Sequence, residues 1–428
     1  MVRSAFSRGA AKLAFVLIFP GFFLYWHLVI TGVTPRFLGG YAPFAASVGS
    51  IGLLIAGAAR RTAVNWIDVA VAGFLALVLL TSYLNGAHGA PPAIVESYLS
   101  MTIQWTALFL LFRSFPIDAG SVVLLRSSLL VMLVFVANYG IIGAFLLAGP
   151  AGSASGVPTY QDFGVYLSIV ALAVLSLERS FALRTLVTLL SLGGLFLLGS
   201  RSELVLFLMV AGVIWLSAGK LLHGLAVAGV VAVLVYLGTL YLTDLEASRV
   251  VYWVSILLEG GGINSDPLRK AFNEQGVATI SQHPVLGSFA YYPPGEYAHN
   301  VLSLWADFGV GIFALYVVMF VGILVAVLRA HGARAALPLP FAFFFGVWLG
   351  TAVLLIAAKN FGYFVVPMLL GAASQVLHAR QRHRRAPVRQ GEDVTRADPV
   401  DRSGTSACAT QACVATTVPD PDTMNRWG

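Results

Sequence analysis

The sequence predicts an all-α, polytopic membrane protein of about twelve transmembrane helices. Three observations carry that expectation. Of the 428 residues, 58% are hydrophobic and 11% charged, where a soluble domain carries about 25% charged residues. Apolar runs of about twenty residues, the length that crosses a hydrocarbon core about 30 Å thick, recur along the chain. Lys and Arg punctuate those runs, and eight of the 26 basic residues lie in the last 49 positions. The net charge of +7 therefore reads as a set of topology signals and not as a nucleic-acid surface.

In chain order the expected spans are 12–32, 41–58, 65–84, 97–114, 121–147, 161–178, 183–199, 202–218, 222–242, 299–328, 336–356 and 360–378. Each satisfies its backbone internally as a helix, the only open-ended structure a bilayer tolerates. The first run is too long for a signal-peptide core and shows no clear cleavage site, so it reads as an uncleaved first helix. Cytoplasmic Lys and Arg set the orientation. Arg3, Arg8 and Lys12 place the amino terminus inside, and twelve crossings then put Arg60, Arg61, Arg113, Arg126, Arg179, Arg184, Lys220, Arg329 and Arg334 at the same face. Six basic residues are left at the other face: Arg36, Arg201, Arg249, Arg269, Lys270 and Lys359.

Residues 1–379 thus form the membrane domain, with one long external loop at 243–297. Within that loop Val250, Trp253, Val254 and Leu257 recur at helical spacing, as an interfacial amphipathic segment does. Residues 380–428 lack apolar periodicity and read as a disordered cytoplasmic tail. The tail holds the only cysteines, Cys408 and Cys413, and a reducing compartment argues against a disulfide or a zinc site there.

The chemistry-bearing residues cluster toward the external face. LLGSRSELVL places Gly199, Ser200 and Arg201 in an outer turn, Arg249 stands four residues before Trp253, ISQHPVLGSF holds His283 and Pro284, and AHNVLSLWADFGVG runs from His299 and Asn300 to Gly309 and Gly311. In these motifs, over about 197 to 311, the sequence resembles the bacterial O-antigen ligase and polymerase family. The remaining helices match only in number and hydropathy.

The resemblance implies a GT-C-like glycosyltransferase of the bacterial inner membrane, with both termini cytoplasmic. Such an enzyme moves a glycan from an undecaprenyl diphosphate carrier at the periplasmic face, either to lipid A-core (a ligase) or to another lipid-linked glycan (a polymerase). His299 matches the family's catalytic histidine, and Arg201 and Arg249 its diphosphate-binding arginines. Arg269 joins that cationic set, with Asn300 and Lys359 in support.

Residue chemistry points the same way. A sugar diphosphate is already activated, so transfer needs cations where negative charge develops and a base for the incoming hydroxyl. Arginine supplies a permanent charge in a fork that fits phosphate oxygens, and histidine titrates near neutrality. Direct displacement inverts the anomeric centre. The first external loop, TPRFLGGYAP, contains no carboxylate, which favours a metal-free, cofactor-free mode over metal-assisted GT-C chemistry.

Plainer readings stand beside each assignment. Asn300 caps the helix that follows, His299 is an interfacial histidine, Arg201 pairs with Glu203 or snorkels to lipid phosphates, and His283 shapes a loop. Arg249, Arg269 and Lys359 also admit ordinary loop roles. Asp307, two turns beyond His299, is a buried partner for another helix or lines a cavity, and Gly309 and Gly311 permit close packing. Two rival functions stand beside glycan transfer: a flippase or exporter of lipid-linked oligosaccharide, whose charges line a passage at several depths, and a structural or scaffolding membrane protein, which needs no histidine and arginine set.

Overall fold

The computed structural model describes residues 2–37, 40–60, 64–140, 160–219, 229, 267–293, 298–332, 337 and 339–385. Among them are thirteen α-helices and no strand: α1 Val2–Ile18, α2 Pro20–Ile30, α3 Tyr41–Arg60, α4 Trp66–Ala87, α5 Pro92–Ser114, α6 Ala119–Gly140, α7 Tyr160–Leu177, α8 Phe181–Leu198, α9 Arg201–Ser217, α10 Pro267–Gln282, α11 Leu302–Gly332, α12 Phe341–Ala357 and α13 Val365–Arg385. Residues Met1–Arg382 form one compact unit and His383–Gly428 a second. The span expected at 222–242, residue 229 apart, lies outside the described residues, as do Arg249 and Trp253.

Seven stretches are long and apolar enough to cross a membrane: Phe6–Ile30, Tyr41–Ala58, Trp66–Ala87, Pro92–Ser114, Ala119–Tyr139, Phe181–Leu198 and Leu302–Gly332. Gln161–Leu177, Phe341–Ala357 and Val365–Ala379 are shorter apolar helices. Large apolar side chains also face outward, such as Ile51, Leu54 and Ile55 on α3 and Val69, Leu80 and Leu84 on α4. Water would penalise that surface and lipid does not. The chain is a multi-pass, all-helical membrane protein.

The first expected helix is two. Phe19 still donates its N–H to Phe15 O, but Pro20 follows, and a proline has no N–H to carry the ladder onward. The joint is held by aromatic packing of Phe19 and Phe22 on Tyr166 and of Phe22 on Phe163, both from α7. Elsewhere small residues bring helices close. Gly346 and Gly350 of α12 leave no room for a Cβ against Val210 and Leu206 of α9, as tight packing in lipid requires.

The ionic clusters among the described residues lie toward the ends of the bundle. At one end, Asp68 of α4 takes Arg113 of α5 in a fork, at 2.8 Å to Nε and 2.9 Å to Nη2. Ser374 Oγ donates to Asp68 at 2.7 Å, and His378 Nε2 lies 3.3 Å away, both from α13. Asn65 closes the cluster: its Oδ1 caps α4, Asp68 caps back to its N–H, and its Nδ2 donates to Ser374 Oγ. Lys12 pairs with Asp118 at 2.8 Å and Arg126 with Glu178 at 2.6 Å. Lys12, Arg113 and Arg126, expected at one face from the basic-residue rule, thus each meet an acid there.

Candidate functional site

The opposite end is reached along α5, where Tyr98 stands fifteen residues before Arg113, about 22 Å along the axis. Asn300 sits just before α11. Its Oδ1 accepts the Leu302 N–H at 3.0 Å, and its carbonyl accepts both the N–H and the hydroxyl of Ser303. The capping role is therefore observed. With Oδ1 so engaged, Nδ2 points to Asn273 Oδ1 of α10 at 3.4 Å, and the same oxygen accepts the His299 N–H at 3.2 Å. The His299 ring is partly buried and its centroid lies 6.3 Å from that of Phe272. Gly276, one turn beyond Asn273, lets α10 approach Ala298, which a Cβ there would meet at 3.1 Å.

One backbone bond ties this segment to the next element. The Val301 N–H donates to Leu355 O in the last turn of α12 at 2.8 Å. Two residues past that helix, Lys359 turns back to bond Leu354 O, and its Nζ reaches Glu203 Oε1 of α9 at 2.7 Å. Glu203 is wholly buried and the Lys359 side chain is 10% exposed. Ser200 and Ser202 donate to the other carboxylate oxygen. Tyr363 lies under the ammonium, 5.2 Å from ring centroid to Nζ, and burial, with the Glu203 charge adding, holds its phenol well above the usual range.

Local sequence explains the Gly-Ser-Arg turn. Gly199 ends α8 in the left-handed region at φ 68°, where a side chain would be strained. Ser200 then packs against Gly164 of α7, where a Cβ would come within 2.6 Å of the serine's own Cβ. Arg201 follows as the first, partly buried residue of α9.

A third feature locks the loop that leads to His299. At Gly309 α11 breaks, with φ 80° and ψ 176°, a conformation open essentially to glycine. The His-Pro-x-x-Gly turn fills the break: Pro284 O accepts the Val310 N–H at 3.1 Å and the Trp305 indole at 2.8 Å, and Ser288 donates to Ala306 O at 2.7 Å. Gly287, also at positive φ, faces Asp307 and Gly309 so closely that a Cβ would stand 2.6 Å from Gly309 N.

Asp307 is fully buried. It accepts from Tyr98 of α5, from Tyr292 at 3.0 Å and from the Ala290 N–H at 3.1 Å. Ala290 adopts φ 56°, a conformation costing an alanine about 1–2 kcal/mol, so the carboxylate secures a strained turn. Burial, reinforced by Asp307, pushes Tyr291 up to about 12 and Tyr292 higher. Both phenols are protonated at neutral pH.

Several expectations are thereby sharpened. Asn300 caps α11, Asp307 is the buried partner of another helix, and His283 shapes its turn by accepting the Gly287 N–H at 3.0 Å while its side chain is exposed. Gly309 does more than ease packing, since the backbone itself is broken there. Lys359 is changed: expected in support of a diphosphate, its ammonium is engaged by Glu203, the acid that one plainer reading gave to Arg201. Arg269 lies on α10 but its side chain is outside the described residues. Asn273, Tyr98 and Tyr292 were not anticipated. A lone tyrosine such as Tyr98 in an apolar helix is a legible signal, because a buried phenol needs a partner, whereas nothing local marks Asn273.

An open depression of about 420 Å³ runs along α10, lined by Lys270, Asn273, Glu274, Val277 and Ala278. Asn273 thus borders it and also holds His299. Among the described residues no three His, Cys, Asp or Glu side chains converge as a metal-ligand set. No family model matches the chain, and no curated protein matches it.

Proposed function

We propose that the chain is an inverting glycosyltransferase of the O-antigen ligase or polymerase kind. It would have about twelve spans in a GT-C-like arrangement and work at the periplasmic face of a bacterial inner membrane. The donor is an undecaprenyl diphosphate-linked glycan, and the acceptor hydroxyl belongs to lipid A-core or to a second lipid-linked glycan.

The observation that carries this reading is the hydrogen bond from Val301 to Leu355. It joins the His299 segment to the α12 end, from which Lys359 leads to the Arg201 turn through Glu203. The expected base and one expected phosphate-binding arginine therefore share one end of the bundle. In the reaction the acceptor oxygen attacks the anomeric carbon and His299 takes its proton. The bond from that carbon to the diphosphate breaks, and the carrier leaves with the electron pair. Arg201 balances the charge that builds on the diphosphate. The Lys359–Glu203 pair stiffens the turn presenting Arg201, with its own charge already balanced.

Charge placement supports transfer over passage. Among the described residues, the central turn of each of α3 to α9 and α11 to α13 contains no Asp, Glu, Lys or Arg, where a flippase needs polar contacts at several depths. The test is purified protein given a lipid-linked repeat, with and without lipid A-core, and products separated by size. A ladder without core identifies a polymerase and a core-linked product a ligase. Absence of any transferred glycan refutes the proposal.

A further inference from the structure

The His-Pro-x-x-Gly turn has a tip with no protein role in the site. Val285 is 68% exposed and Leu286 84%, yet the turn is anchored well down α11, at Trp305 and Val310. Val310 heads an exposed apolar stripe that continues through Val317, Val318, Val321, Val325 and Leu328, the face that a membrane-crossing helix turns to lipid.

Length places the membrane boundary beside that tip. α11 has 31 residues, about 46 Å, where a hydrocarbon core is about 30 Å thick. The stretch from the break to Gly332 spans the core by itself at about 34 Å. Gly309 therefore falls at the boundary, and the turn bonded to it falls there too.

The backbone flanking the tip suits that depth. His283 donates to Thr279 O, Gly287 to His283 O and Ser288 to Ala306 O, while Pro284 has no N–H and its carbonyl takes two donors. The N–H groups on either side of the tip are thus satisfied within the protein, as irregular backbone beside an apolar phase requires.

We propose that Val285 and Leu286 form a wedge inserted among the acyl chains of the leaflet at this end of the bundle. The wedge seats the C-terminal end of α10 on the membrane, and α10 holds His299 through Asn273. The inference concerns lipid contact alone and stands whether or not the transfer chemistry is correct.

The test places a bimane fluorophore at Leu286→Cys, and separately at Val285→Cys, with Cys408 and Cys413, the only native cysteines, changed to Ser. Glu274→Cys on the exposed face of α10 is the reference. In phosphatidylcholine–phosphatidylglycerol vesicles, nitroxide on the acyl chains is expected to quench positions 285 and 286 several-fold more than 274, and aqueous iodide the reverse. Iodide quenching at 285 and 286 equal to that at 274 overturns the wedge. Protection from both quenchers overturns it equally, because protein and not lipid would then cover the tip.

Discussion

The two ends of the bundle each hold an aspartate, Asp307 fully buried and Asp68 partly so, and the company each keeps sets its task. Asp68 meets a guanidinium, an imidazole, a hydroxyl and a capping N–H drawn from α4, α5 and α13. That is a closed ionic staple among helices. Asp307 meets two phenols and a backbone amide, neutral donors that fasten a loop to a broken helix. The staple ties spans together, whereas the second knot sets the course of the chain toward His299. Similar acids at either end of one helix layer thus build a rigid floor and a shaped rim.

The largest expected loss of stability comes from the floor. Asp68→Ala leaves Arg113 and His378 without their acid; breaking a fully buried pair from one side costs about 3–5 kcal/mol, and this partly buried cluster is expected to lose up to that. A clear drop in the thermal unfolding midpoint of purified protein checks it, and an unchanged midpoint would mean that water replaces the carboxylate at no cost. At the rim, Tyr98→Phe removes one of three donors to Asp307 and is expected to cost about 1–3 kcal/mol. An equal or larger loss than at Asp68 would erase the contrast.

Asn273→Ala separates the loop's role from the staple's. It releases the His299 N–H and the Asn300 amide together, so turnover is expected to fall about tenfold or more from lost orientation, with little change in midpoint. Asn273→Asp keeps the acceptor oxygen and recovers most of the rate. Full turnover in Asn273→Ala shows that α10 does not position the histidine.

The smallest effect is a pH dependence. The Lys12 hydrogen bond, with the Ser121 N–H, lowers Asp118 to about 2. The stability this supplies is present above the ordinary carboxyl range near 4 and is lost as pH falls through about 2. The pair is 30% and 38% exposed, so solvent screening leaves a few tenths of a kcal/mol. An acid titration of stability comparing wild type with Asp118→Asn measures it.

Helices were legible in the sequence because apolar length and composition are local properties. Pro20 splits the first one by an equally local rule, missed only because the apolar run continues across it. Asn300 was legible for the same reason, as a cap acts on its own helix. The Glu203 pairing was not. Lys359, which meets the carboxylate, is 156 positions away in the chain, and no local spacing rule reaches that far. Asn273 and the Gly309 break are tertiary facts, fixed by where the loop lands on α11. Arg249 and the side chain of Arg269 lie outside the described residues.

The most direct test of the account couples carrier release to glycan transfer. Purified protein with a lipid-linked glycan donor and its acceptor is expected to liberate one undecaprenyl diphosphate for each glycan transferred. His299→Ala, inserted and folded as the wild type is, should liberate none. Equal release by both proteins, or release by neither, contradicts the assignment of this rim as a glycan-transfer site built on His299.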